Sequence, residues 1–172
     1  MNELLQKHTS ANTSVNSTKL PTAFNKYVPY GHVLDYGCGK FYERTKQHCD
    51  KTCLSYNPYD PYNCDGVEND KSITFGKKHG YDTIFCCNVL NVIDSDSAIW
   101  SIIHNMFNMV NIGGKIYIQI YEGNKSSVSR ETKKDCFQRN EPTSNYFQFM
   151  GACQGRPFKT ELHGNIITII KL

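Results

Sequence analysis

The nine residues 33–41, V-L-D-Y-G-C-G-K-F, constrain this 172-residue chain more than any other stretch. Val33 and Leu34 close a short apolar run, and Asp35 stands where such a strand would finish. Gly37 and Gly39 then let the main chain turn sharply without a Cβ. A ligand can come very near such a backbone. A helix beginning beyond Lys40 would point its unpaired N–H groups and positive dipole end into the same crevice, at the carboxyl edge of a parallel sheet. A G-x-G alone is a weak signal; the strand and the acidic residue ahead of it sharpen it into a nucleotide-type site.

Residues 33–39 satisfy the pattern hydrophobic-hydrophobic-Asp/Glu-x-Gly-x-Gly, and here the chain resembles the class I S-adenosylmethionine-dependent methyltransferases. The resemblance extends in matching order through Y-N-P-Y at 56–59, Y-D-T-I-F-C-C-N-V-L-N-V-I at 81–93 and G-G-K-I-Y-I-Q-I at 113–120. The D-Y-G-C-G-K and N-V-L-N-V-I segments look most like small methyltransferase-like proteins of phages and DNA-modification gene clusters. The resemblance implies an α/β fold, a Rossmann-like sheet that is mainly parallel with an antiparallel C-terminal hairpin. It also implies S-adenosylmethionine as cofactor, with Asp35, Gly37, Gly39, Asn57, Pro58 and Asn88 as its contacts. Asn57 lies 18 residues beyond Gly39, where Rossmann-type sites place a carboxylate on the ribose hydroxyls. An amide there is uncharged, so ribose binding should weaken unless Asp60 compensates. Phe41 replaces the small residue frequent in the family, which would crowd the turn. These two departures favour, as an alternative, a protein that binds or sequesters the cofactor without turnover. A nicotinamide oxidoreductase is a third reading, weakened by the missing third glycine at 42.

With 39% hydrophobic and 20% charged residues, the chain fits one domain with a continuous core, which we place at residues 31–172. Residues 1–30 are expected to form a flexible segment or a lid over the cofactor. No run approaches the roughly 20 apolar residues of a membrane span, and the polar start lacks a secretory signal's apolar stretch. The expected location is therefore the cytoplasm, or the host cytoplasm if the protein is viral. Eight cysteines without any C-x-x-C pair read as buried free thiols in a reducing compartment, not as a zinc site or a disulfide framework.

Along the chain, residues 21–27 suit a short helix, part of 41–49 a short crossover helix, and 52–56 a second strand that ends before a turn at Asn57-Pro58. Within the polar residues 60–81, only 72–75 offer a third strand. The apolar run 83–87 reads as the central strand. Ile99, Ile102, Ile103, Met106, Phe107 and Val110 recur at helical spacing, which predicts a helix over 95–110 capped by Asp94 or Ser95 and stopped at Gly113-Gly114. A strand at 115–121 follows, then a polar, basic stretch and an aromatic segment at 146–149. Strands at 158–162 and 165–171 join at His163-Gly164.

The net charge of +3 is unevenly spread. Residues 115–159 hold eight Lys/Arg against four Asp/Glu, whereas 51–114 hold four against seven. Lys125, Arg130, Lys133 and Lys134 would stand near the edge that an acceptor approaches. Tyr121 or the aromatics at 146–149 would be available to stack a base. This distribution ranks a nucleic-acid acceptor ahead of a small metabolite, the competing view being a solvated basic loop beside a structural aromatic segment.

Overall fold

A computed structural model describes residues 19–153 and 155–172. Most of the expected N-terminal segment, residues 1–18, lies outside the described residues. Six strands form one sheet in the order β2-β1-β3-β4-β8-β7. These are β1 (Gly31–Tyr36), β2 (Cys53–Tyr59), β3 (Tyr81–Cys87), β4 (Val110–Gln119), β7 (Phe158–His163) and β8 (Ile166–Lys171). The first four are mutually parallel, and β8 runs antiparallel between β4 and β7, so the mainly parallel sheet with an antiparallel C-terminal hairpin is observed. Helices α1 (Thr22–Lys26), α2 (Glu43–Cys49), α3 (Gly66–His79) and α4 (Asp96–Met109) supply the cover, and a second small sheet pairs β5 (Arg130–Lys133) with β6 (Cys136–Gln138).

The order places the topological switch between β1 and β3. The chain leaves β1 to build β2 on one side, then returns to build β3 on the other, so loops diverge at the carboxyl ends of β1 and β3. Both strands are buried apolar runs, as a sheet covered on both faces requires: Val33, Leu34, Ile84, Phe85 and Cys86 have no exposed surface. Helix α4 matches its periodicity. Ile99, Ile102, Ile103, Met106 and Phe107 are buried in the main core, and Ser95 caps its start by accepting from Ala98 N–H. It passes without a loop into β4, which therefore begins five residues before the expected strand, and Gly113-Gly114 fall inside β4 instead of ending the helix.

Two expectations fail around β2. Residues 72–75 form no strand; they lie within α3, and β2 is left as the edge of the sheet. The helix is hard to read because its docked face is polar: Asn69, Ser72 and Gly76 are its buried residues. Asn69 accepts from Asp60 N–H at 2.9 Å, Ser72 Oγ donates to the Pro58 carbonyl at 2.6 Å, and a Cβ at Gly76 would lie 2.7 Å from Tyr81 and Met109. The second strand also continues through Asn57-Pro58 to Tyr59. The Tyr59 carbonyl faces β1, accepting from Gly37 N–H, so by alternation Pro58 faces the open edge, where no ladder N–H is needed.

Candidate functional site

Extending β2 by three residues moves its carboxyl end, and that shift decides which side chains meet. Asp60, not Asn57, comes first after the strand. Its Oδ2 accepts from Gly39 N–H at 3.0 Å, and its Oδ1 accepts from the N–H groups of Tyr62 and Asn63 at 2.9 and 3.0 Å. The turn after β1 is pinned from the same side, with Gly37 N–H donating to the Tyr59 carbonyl at 2.6 Å. Gly37 and Gly39 both have positive φ, 75° and 73°. A Cβ on Gly37 would run into Val89, whereas nothing lies within 4 Å of one on Gly39, so the backbone there is open to an approaching group.

These loops form one wall of a crevice of about 1150 Å³ that reaches across the switch point to the β5–β6 hairpin. Asp35, Gly37, Gly39 and Asn88 all border it, and so do Phe41, Asp60 and residues 19–22. Asn57 and Pro58 do not. The Asn57 amide donates to the Val33 carbonyl and to Ser55 Oγ, and it borders a separate shallow hollow against α3. The sequence reading ends β2 at Tyr56, which puts Asn57 and Pro58 in the loop beyond it, whereas the strand runs on to Tyr59.

Asp35 is 3% exposed, and its Oδ2 accepts from Tyr56 Oη at 2.7 Å and from Thr45 Oγ1 at 2.9 Å. Burial pushes its carboxyl up to about 6, with the two hydroxyl bonds and the Arg44 charge pulling the other way and Asp60 adding to the rise. Arg44, the second residue of α2, borders the same crevice, yet its Nε and Nη1 are buried without a hydrogen-bond partner. Opposite, Asn88 adopts a left-handed φ of 60°, donates its N–H to the Gln119 carbonyl and meets the Gln119 amide. Gln119 Oε1 also accepts from Ala23 N–H at 2.8 Å, tying the start of α1 to the crevice floor.

The hairpin wall is held by polar bonds that the sequence did not announce. The Asn91 amide donates to Gln138 Oε1, and Arg139, 5% exposed, donates to the carbonyls of Ile93 and Asp94 and to the Asp96 carboxylate. Arg139 is thus a buried strut and no part of a basic surface. Lys125 pairs with Glu122 and Lys159 with Glu161, while Arg130 and Lys133 border the crevice. Of the expected stacking aromatics, Tyr121 borders the crevice at 60% exposure, whereas Tyr146 and Phe149 are buried in the main core.

Several solved structures share this fold. The 1,6-didemethyltoxoflavin-N1-methyltransferase of Burkholderia thailandensis, with 1,6-didemethyltoxoflavin and S-adenosylhomocysteine bound, matches at TM-score 0.62 and 12% identity over 87% of this chain and 75% of that one. A SAM-dependent methyltransferase from Methanosarcina mazei matches at 0.59 and 13% identity over 90% of this chain and 98% of that one. The sugar N-methyltransferase KedS8 from Streptoalloteichus matches at 0.59 and 9% identity over 92% and 96%. At such identities the likeness establishes the fold: a Rossmann-like sheet of the kind found in S-adenosylmethionine-dependent methyltransferases. These neighbours lend no support to the narrower likeness to phage or DNA-modification proteins. No protein-family model and no curated protein sequence matches the chain. Among the described residues, no helix is long and apolar enough to cross a membrane.

Proposed function

We propose that this chain is an S-adenosylmethionine-dependent methyltransferase acting on a small molecule. The observation that carries the reading is the crevice at the β1/β3 switch point, where an open glycine turn, a loop-end carboxylate and an unsatisfied guanidinium converge. The residues fit the cofactor. Gly37 and Gly39 admit its close approach, Asp60 supplies beside the glycine turn the acidic group expected to serve the ribose hydroxyls, and the orphaned Arg44 nitrogens suit a carboxylate. Asp35 and Asn88 complete the proposed set, which replaces Asn57 and Pro58 by Asp60 and Arg44.

When bound, the cofactor would supply an electrophilic sulfonium methyl group for an acceptor lone pair. The chain's own residues position and desolvate. Asp35 is buried and held by two hydroxyls, and Asp60 keeps beyond its three backbone N–H bonds only the acceptor capacity assigned above to the ribose, so neither is assigned as a base for the acceptor. Catalysis would then rest on holding the acceptor in line and excluding water.

A small acceptor is favoured by the crevice volume, which exceeds the roughly 300–1000 Å³ of a single drug-sized ligand site and leaves room beside the cofactor. It is also favoured by what two fold neighbours are named for, 1,6-didemethyltoxoflavin and a sugar. The basic character that pointed to nucleic acid is partly consumed by Arg139 inside the fold. The non-catalytic reading loses one of its motives, because the amide at 57 stands outside the crevice and a carboxylate stands in it. Calorimetry with S-adenosylmethionine, S-adenosylhomocysteine and NAD, followed by label transfer from methyl-labelled cofactor to small-molecule pools, tests the proposal. Preference for NAD sinks it, and tight cofactor binding with no transfer to any pool points to sequestration instead.

A further inference from the structure

The charges around the crevice do not balance, and the imbalance is concentrated where an acceptor would sit. Leaving Lys19 aside, Lys40, Arg44, Arg130 and Lys133 face two carboxylates, Asp35 and Asp60. Both carboxylates are engaged: Asp60 by three backbone N–H groups and Asp35 by two hydroxyls. The cofactor proposed above cannot neutralise the excess, since at neutral pH its sulfonium and ammonium groups outnumber its one carboxylate. With Arg44 assigned to that carboxylate, Lys40 beside the glycine turn and the two hairpin cations remain.

The presentation of the last two is built into the hairpin. Strand alternation would send positions 130 and 133 to opposite faces, but the β5–β6 register shifts between Glu131 and Lys133, and Arg130, Thr132 and Lys133 all border the crevice. Glu131 does not; its carboxylate turns back to accept from Asp135 N–H at 2.9 Å. The other nearby acids are likewise occupied, Glu122 with Thr143 and Lys125, and Glu141 with Arg139. On the opposite strand, Cys136 and Gln138 are buried, and Gln138 is bonded to Asn91, so the cations stand on an anchored support. The exposed hairpin thus borders the crevice with both cations while its acid is bonded elsewhere.

We infer that the acceptor is a small anion, bearing a carboxylate or phosphate group, held by Arg130 and Lys133 on the hairpin face of the crevice. This rests on the methyltransferase reading and adds its substrate class. Arg130 supplies a planar fork for two oxygens of the anion, and Lys133 a point charge beside it.

The test titrates the protein, saturated with S-adenosylhomocysteine, with inorganic phosphate and separately with succinate at low salt, followed by calorimetry or NMR. At least one probe should bind saturably, and which one binds separates phosphate from carboxylate recognition. The double variant Arg130→Ala/Lys133→Ala should weaken that binding about tenfold or more while leaving affinity for S-adenosylhomocysteine within about twofold. Both side chains are exposed, so the variant should fold, which circular dichroism checks. Absence of saturable binding by either probe, or binding indifferent to the double substitution, overturns the inference. So does a short single-stranded oligonucleotide that binds more tightly than phosphate and loses affinity steeply with salt, because the cations would then serve a macromolecule. Failure of S-adenosylhomocysteine itself to bind removes the methyltransferase reading; its binding without any anion site removes only this one.

Discussion

Asp35 shows how one residue carries both folding and site. Its carboxyl sits at about 6 in the folded chain against an ordinary 3.8, with burial as the main cause. A raised folded value means that the protonated form is favoured by folding. The stabilisation is complete below about pH 3.8 and is lost as pH rises through 6. Asp35→Asn, which mimics the neutral form, should therefore gain stability relative to the parent between pH 4 and pH 7.5, by on the order of 3 kcal/mol. Denaturant unfolding at the two pH values checks this, and a difference that does not change with pH would refute it. Arg44 makes the opposite trade. Its Nε and Nη1 are buried and unpaired, so Arg44→Gln should leave stability unchanged or raised while weakening S-adenosylhomocysteine binding by about tenfold, one charge-assisted hydrogen bond's worth. Equal affinity in the variant would show that the guanidinium serves no ligand.

At the scale of elements, the hairpin that walls the crevice depends on a buried cation. Arg139 gathers the carbonyls of Ile93 and Asp94 and the carboxylates of Asp96 and Glu141, bridging the start of α4 to the chain after β6. Removing the guanidinium leaves buried carbonyls unsatisfied. Arg139→Met should cost roughly 3 kcal/mol, whereas Arg130→Ala on the exposed strand β5 should stay within about 0.5 kcal/mol. Paired denaturation curves decide the matter, and a neutral Arg139→Met would mean that β5 and β6 are docked by other contacts. Helix α3 follows the same pattern, since Asn69 and Ser72 fix it to the end of β2 by hydrogen bonds and Gly76 permits close approach to Tyr81.

For the whole molecule, the crevice joins residues from both halves of the sheet, so a ligand filling it should couple to global unfolding. At a hundredfold excess over its dissociation constant, S-adenosylhomocysteine should stabilise the fold by about 2.7 kcal/mol, a rise in melting temperature of roughly 5–10 °C for a chain of this size. NAD at the same concentration should give no shift. A thermal scan in which both act alike would place binding elsewhere.

The sequence by itself determined the sheet's centre, helix α4 and the glycine turn. Val33 and Leu34, the run at 83–87 and the spacing from Ile99 to Phe107 carry local hydrophobic patterns strong enough to fix their own structure. Four of the six expected cofactor contacts, Asp35, Gly37, Gly39 and Asn88, duly meet at one crevice. What only tertiary structure decided was wherever polar groups replace apolar periodicity. Residues 72–75 read as a strand because the docked face of α3 is built of Asn69, Ser72 and Gly76, whose partners are distant in the chain. Asn57-Pro58 read as a turn because a sequence does not reveal which strand lies at an edge, where proline's missing N–H is harmless. That ambiguity of three residues moved the acidic corner of the crevice from position 57 to Asp60. Arg139 is one of the eight basic residues counted over 115–159, and only the fold brings Ile93, Asp94 and Asp96 beside it, since a side chain's charge is local but its burial is a property of the whole fold.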